Sequence, residues 1–219
     1  MLQIADTLIN GSGLCRRLCE PGPDGHPEIV RLISEIVTDH EQWPLRDFLA
    51  EEHEAQCATS CYMSVQQYQN RRYHPLLDWR LGLAYLRAIL NSGFQCGLDG
   101  RFDDFPELRA WRQKAQALAE SVASMRPRSW RAGSVGVQNL PCLTEVNQAG
   151  NVLRRLIVVH PLWRTDFTLA ASIGISTADV HTRFVDAFDL ERRPLRALDL
   201  AFERTEAPAV QLEDPDRRP

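Results

Sequence analysis

Apolar residues recur at helical spacing through the first half of this chain and give way to short apolar runs in the second. Ile29, Leu32, Ile33, Ile36 and Val37 fall on one face of a helix that closes near His40. A further helix is expected from Pro44 to about Gln56, with the acidic stretch E-E-H-E at 51–54 facing solvent. Leu76, Leu77, Leu81, Leu83, Ala84, Leu86, Ile89 and Leu90 make the strongest helical pattern, entered through Pro75 and closed by N-S-G at 91–93. Leu108, Trp111, Ala115 and Leu118 predict another from about Pro106 to Ser124.

The two ends read differently. L-Q-I-A-D-T-L-I at 2–9 predicts a short strand, N-G-S-G at 10–13 a turn, and Leu14, Arg16, Arg17 and Leu18 the start of a helix. Amides exposed at such a start attract anions, but a structural turn is the simpler reading. P-G-P-D-G-H-P at 21–27 is a loop by composition, and M-R-P-R-S-W-R-A-G-S at 125–134 reads as a linker. Beyond it, Val135, Val137 and Leu140, then Val152, Leu153, Leu156, Ile157, Val158 and Val159, predict two strands flanking the turn N-Q-A-G-N at 147–151. A last helix is expected from about Thr177 to Phe188, and the polar tail from about 207 is expected to be disordered. The fold class is α+β: a mainly helical part over 1–125 with a strand–turn–helix start, and a smaller α+β part over 126–219.

With 219 residues, 44% of them hydrophobic, the chain can bury a substantial core. A formal net charge of -4 excludes wholesale electrostatic binding to nucleic acid and leaves only local arginine clusters for that role. Lys114 is the single lysine. It follows no glycine, which removes a phosphate-binding loop and with it ATP hydrolysis, and it disfavours Schiff-base chemistry and lysine-dependent nucleases. No apolar run of membrane-spanning length and no secretory signal layout occur, so a cytoplasmic location and reduced thiols are expected, with no membrane partner.

The cysteines then carry the candidate chemistry. Cys15 and Cys19, and again Cys57 and Cys61, are four residues apart, so on a helix each pair would present two sulfurs on one face. Four thiolates complete a tetrahedral zinc site, and His53, four residues before Cys57, can replace one, since imidazole and thiolate mix at structural zinc. Cys96 and Cys142 have no close partner in sequence and are expected in the core. A redox pair is disfavoured, because neither pair has the C-x-x-C form.

The segments A-D-T-L-I-N-G-S-G-L-C-R-R-L, C-x-x-x-C-Y, Y-Q-N-R-R-Y-H-P-L-L-D-W-R-L-G-L and F-D-L-E-R-R-P together resemble the MrfA-like, helicase-associated family. This is the C-terminal zinc-binding module of large DEAD/DEAH-type helicases of DNA repair and phage defence. The resemblance is firmest over residues 4–92 and looser to about residue 196. It implies a cysteine-bound Zn2+ beside a helicase motor, with Cys57 and Cys61 matching the first two thiols of a C-x-x-x-C-x-x-C pattern and Ser64 standing at the third. It also implies a non-catalytic accessory module whose partner is a helicase subunit or DNA. No motor motif precedes the module, so the chain is expected to be a split subunit, a truncated product or a free-standing relative.

Arg71, Arg72, Tyr73 and Arg80 are the candidate nucleic-acid contacts, because guanidinium groups beside aromatic rings clasp phosphate and stack on bases. Arg126, Arg128 and Arg131 around Trp130 repeat the theme; a solvated arginine surface balanced by acidic residues is the plainer alternative. The competing enzyme reading is a metal-dependent hydrolase or nuclease using His74, Asp78 and His160. Against it, His74 and Asp78 are spaced one turn apart at an expected helix start, where capping accounts for them.

Overall fold

The computed structural model describes residues 13–165, 167–175 and 181–203. The chain separates into two compact units, Met1–Trp111 and Arg112–Pro219. It is an α+β protein, as its patterning predicts: the first unit is helical where described, and the second carries a four-stranded sheet. The strand expected over 2–9 and the tail from 207 lie outside the described residues.

In the first unit α1 (Leu14–Cys19) and a bridged loop lead into α2 (Glu28–Thr38), with the bounds that the apolar spacing predicts. The single helix expected over 44–56 is two, α3 (Leu45–Phe48) and α4 (Glu51–Gln56). Ala50 is extended, with ψ 132°, and breaks the run. That break leaves the Phe48 carbonyl available to a side chain, with consequences for the site below.

A 3-10 segment, Tyr68–Leu76, contains Pro75, and α5 (Trp79–Leu90) begins only after it. Asp78 is the reason: its extended backbone stops the helix, and its carboxylate accepts from the Leu81 amide at 3.0 Å. Val37, Leu45, Phe48, Cys57, Trp79 and Leu83 form one buried cluster where α2, α3 and α5 meet.

Two contacts outside the helices close this unit. Arg87 of α5 pairs with buried Glu107 at 2.6 Å and donates to the Val37 carbonyl at 2.8 Å. One buried carboxylate is thereby tied to two helices, an arrangement that costs several kcal/mol to break from one side. Gly97, at φ 83°, lies under the Phe102 ring, and a Cβ there would stand 2.5 Å from it. Phe102 in turn stacks on Trp111 at 5.4 Å.

The second unit starts at Arg112, one residue into α6 (Trp111–Met125), which the sequence places from 106 and which buries Ala115, Ala119 and Val122. β1 (Trp130–Val135), β2 (Leu140–Val146) and β3 (Val152–Val159) follow as an antiparallel meander, Leu143 pairing with Ala132 on one side and Leu156 on the other. After α7 (Phe167–Ser172), β4 (His181–Asp186) returns parallel to β3, with Leu156 opposite Arg183. α8 (Ala187–Arg192) and α9 (Pro194–Glu203) end the described chain.

Three sequence expectations change here. Residues 130–134 of the expected linker are strand, because pairing with β2 overrides their mixed composition. The first of the two strands expected to flank the turn at 147–151 is divided: Val135 ends β1, and Leu140 opens β2, which runs on to the turn and pairs Pro141 with Ser134. The helix expected to Phe188 is strand over residues 181–186, where pairing with β3 outweighs local propensity, and helix only from Ala187. Residues 177–180 lie outside the described residues. No helix among the described residues is long and apolar enough to cross a membrane.

Candidate metal centre

His53 sits on α4 and is 2% exposed, packed against the Phe48 and Trp79 rings at centroid distances of 5.9 and 5.6 Å, the two rings themselves being 5.3 Å apart. The acidic face expected around it is solvated, but the imidazole itself points inward, because Phe48 and Trp79 offer an apolar slot. Its Nδ1 lies 2.9 Å from the Phe48 carbonyl freed by the α3–α4 break. A carbonyl only accepts, so Nδ1 carries the proton and Nε2 presents a lone pair. Nε2 is buried and has no hydrogen-bond partner.

That lone pair has two thiols for neighbours. The His53 ring nitrogen and the Cys57 and Cys61 sulfurs lie within 4.8 Å of one another, and among the described residues they are the one group of three or more such ligands. The group can hold a metal ion. A buried imidazole oriented by a backbone carbonyl, with its other nitrogen open beside two sulfurs, is the arrangement of a metal-ligating histidine and its outer support. The orphaned Nε2 is a cost in a closed protein core that a cation removes.

The loop that carries the thiols is clamped from several sides. Arg80 Nη1 donates to the Cys57 and Ala58 carbonyls, both at 3.2 Å, and its guanidinium stacks over Trp79 at 4.1 Å. The Trp79 amide donates to the Thr59 carbonyl at 3.0 Å. Ser64, three residues after Cys61, receives the Cys61 amide at 2.9 Å and donates to the Cys61 carbonyl at 3.1 Å. Burial raises the Cys57 thiol. Burial acts the same way on Cys61, but hydrogen bonds with Ser64, Cys57 and the Met63 amide outweigh it and bring that thiol from 9.0 to about 7.

Cys15 and Cys19 take no part in this group. They stand on α1, half-buried and exposed respectively, and the spacing that suggested a four-thiol site does not bring the two pairs into one cluster. Cys96 and Cys142 are buried, as their isolation in sequence predicts, and burial pushes Cys96 up to about 12.

The arginine candidates divide. Arg71, Arg72 and Tyr73 are exposed on the 3-10 segment, Arg71 over the Tyr68 ring at 5.3 Å and Arg72 over Tyr73 at 4.9 Å. Arg80 instead turns inward to the 57–58 carbonyls and an ion pair with Glu54 at 3.6 Å. Tyr62, Met63 and Tyr68 are exposed beside them in the chain.

His74 and Asp78 have local duties. The His74 Nε2 is 2.9 Å from Asn70 Oδ1 and 3.0 Å from the Gln67 carbonyl, and Asp78 caps α5. His160, at the end of β3 in the second unit, is 4% exposed. Its Nδ1 accepts from the Leu162 amide at 3.2 Å, and burial lowers its pKa to about 4, so the ring is a neutral turn-former rather than a proton carrier near pH 7.

Sequence reasoning missed two participants. Nothing in the pattern announces the Phe48 carbonyl, because the α3–α4 break is a tertiary effect. Ser64 is legible in H-x-x-x-C-x-x-x-C-x-x-S at the expected third thiol, but spacing does not show that its hydroxyl binds the Cys61 backbone. No protein-family model, curated protein or solved structure matches the chain.

Proposed function

We propose that this chain is a non-catalytic, zinc-stabilised accessory module that works with a DEAD/DEAH-type helicase in the cytoplasm and contributes to its grip on DNA. The observation that carries the zinc reading is the buried, partnerless Nε2 of His53 beside two cysteine sulfurs. Nitrogen and thiolate donors in a small, partly buried site suit Zn2+ better than the oxygen-seeking Ca2+ or Mg2+. Zinc there would tie α4, the 57–64 loop and, through Arg80, the start of α5.

The helicase and DNA parts rest on the Y-Q-N-R-R-Y-H-P-L-L-D-W-R resemblance and on what that segment exposes. Arg71, Arg72, Tyr68 and Tyr73 present two guanidinium groups and two rings on the segment that follows the thiol loop. Such a surface takes single-stranded DNA by phosphate contact and base stacking. Arg80 supports the loop in this reading and does not touch DNA.

Elemental analysis of the untagged protein tests the first part: about one zinc per chain is expected, and its absence under metal-replete expression overturns it. Fluorescence anisotropy with a labelled DNA single strand tests the second. The double variant Arg71→Ala, Arg72→Ala is expected to weaken binding and flatten its salt dependence by about 1.4 in log–log slope, at about 0.7 per phosphate contact. An unchanged slope sinks the DNA role.

A further inference from the structure

The metal group has three protein ligands of the expected kind, whereas a closed zinc site has four. We infer that the Ser64 hydroxyl is the fourth ligand, giving a site of one imidazole nitrogen, two thiolate sulfurs and one oxygen. The inference deepens the zinc reading above and rests on it.

Ser64 Oγ is 3.5 Å from the Cys61 sulfur and 3.7 Å from the Cys57 sulfur. For a tetrahedral ion with Zn–S of about 2.3 Å and Zn–O of about 2.0 Å, the sulfur-to-oxygen edge is about 3.5 Å. Those two contacts, which serve as hydrogen bonds to sulfur in the metal-free chain, therefore also have the length of coordination-tetrahedron edges.

The hydroxyl's remaining capacity agrees. Its proton can turn to the Cys61 carbonyl at 3.1 Å, leaving the sulfurs to the metal, and one lone pair accepts the Cys61 amide at 2.9 Å. A hydroxyl has two lone pairs, so one remains, on the atom that stands against both sulfurs. No bond to hydrogen needs to break for it to bind as a neutral ligand. The Ser64 and Gln66 amides also donate to the Cys61 carbonyl, at 3.1 and 3.0 Å, so the turn is held in this shape by its own backbone.

A hydroxyl is a weaker zinc ligand than thiolate, which makes the corner the adjustable one. Replacing zinc by Co2+ gives a readout independent of any activity. Ser64→Cys is expected to raise the thiolate-to-cobalt charge-transfer absorption by about half, from two sulfurs to three, and to tighten zinc by at least about tenfold in chelator competition. Ser64→Ala is expected to weaken zinc by about tenfold and to make the cobalt spectrum respond to added imidazole, which the wild-type spectrum does not.

A wild-type spectrum that shifts with imidazole as readily as that of Ser64→Ala would show water, not Ser64, at the corner and overturn the inference. An unchanged charge-transfer band in a folded, cobalt-loaded Ser64→Cys would do the same. If neither cobalt nor zinc binds the wild-type chain, the zinc reading itself fails, and this inference with it.

Discussion

The second unit buries Leu140, Leu143, Leu156 and Ile157 completely, on strands that satisfy their own backbone; the first encloses an imidazole, two thiols and a serine among short helices. The contrast separates two ways of holding a chain together. A sheet core is stable because apolar area leaves water and every paired amide has a partner. Helices of four and six residues such as α3 and α4 are too short to persist alone, and a polar cluster at their junction is an expense until each polar atom is occupied.

With zinc bound as proposed, removing it is the severest way to break that comparison. In Cys57→Ala, or after chelation, amides of α4 and α5 are expected to lose hydrogen-exchange protection while those of β2 and β3 keep theirs. Structural zinc carries roughly 10–16 kcal/mol of apparent binding free energy, so the effect on the first unit should be close to complete unfolding. Equal loss of protection in both units would show that the two are not separately held.

The converse change is smaller. Leu156→Ala removes a fully buried side chain from the middle of the sheet and should cost about 2–5 kcal/mol in denaturant unfolding of the second unit. Zinc content should stay at the wild-type value, and a proportionate fall would contradict the division.

Acid sharpens the comparison further. His160 belongs to the sheet unit, and its folded pKa of about 4 lies below the ordinary 6.5, because burial opposes its charge. The unfolded chain therefore takes up this proton first as pH falls. The stabilisation is complete above about pH 6.5, declines toward pH 4 and is gone below it, a change of up to about 3 kcal/mol at about 1.4 kcal/mol per pH unit. Urea unfolding of the second unit at pH 7 and pH 4 should show this slope, and His160→Gln should flatten it.

The mildest test is at the entrance to α5. Asp78→Ala removes a cap from the Leu81 amide and should lower the stability of the first unit by about 1 kcal/mol. DNA binding at low salt should stay unchanged, which a catalytic or contacting Asp78 would not allow.

How far the sequence spoke follows the same division. Local signals were clear where one element decides its own fate: the apolar face of α2, the closing N-S-G of α5, the paired spacing of Cys57 and Cys61. They were silent where a distant partner decides. Residues 130–134 are strand because β2 pairs with them, and H-T-R-F-V-D is a strand because β3 is beside it. His53 likewise lies on an acidic stretch that reads as solvated. Its inward turn depends on Trp79 and on a carbonyl released five residues earlier, neither of which periodicity reports.

The parallel return of β4 has a kinetic consequence. β1, β2 and β3 close through short hairpin turns, whereas β4 reaches β3 only after the chain has travelled through α7. Loop-closure entropy makes the meander the early structure and the β3–β4 seam the late one. Until β4 docks, the edge of β3 carries Leu156, Ile157, Val158 and Val159 with open backbone groups, a template for another chain. Pulse-labelled refolding should show β2 amides protected before those of β4, and the yield of refolded protein should fall as concentration rises in the interval between the two.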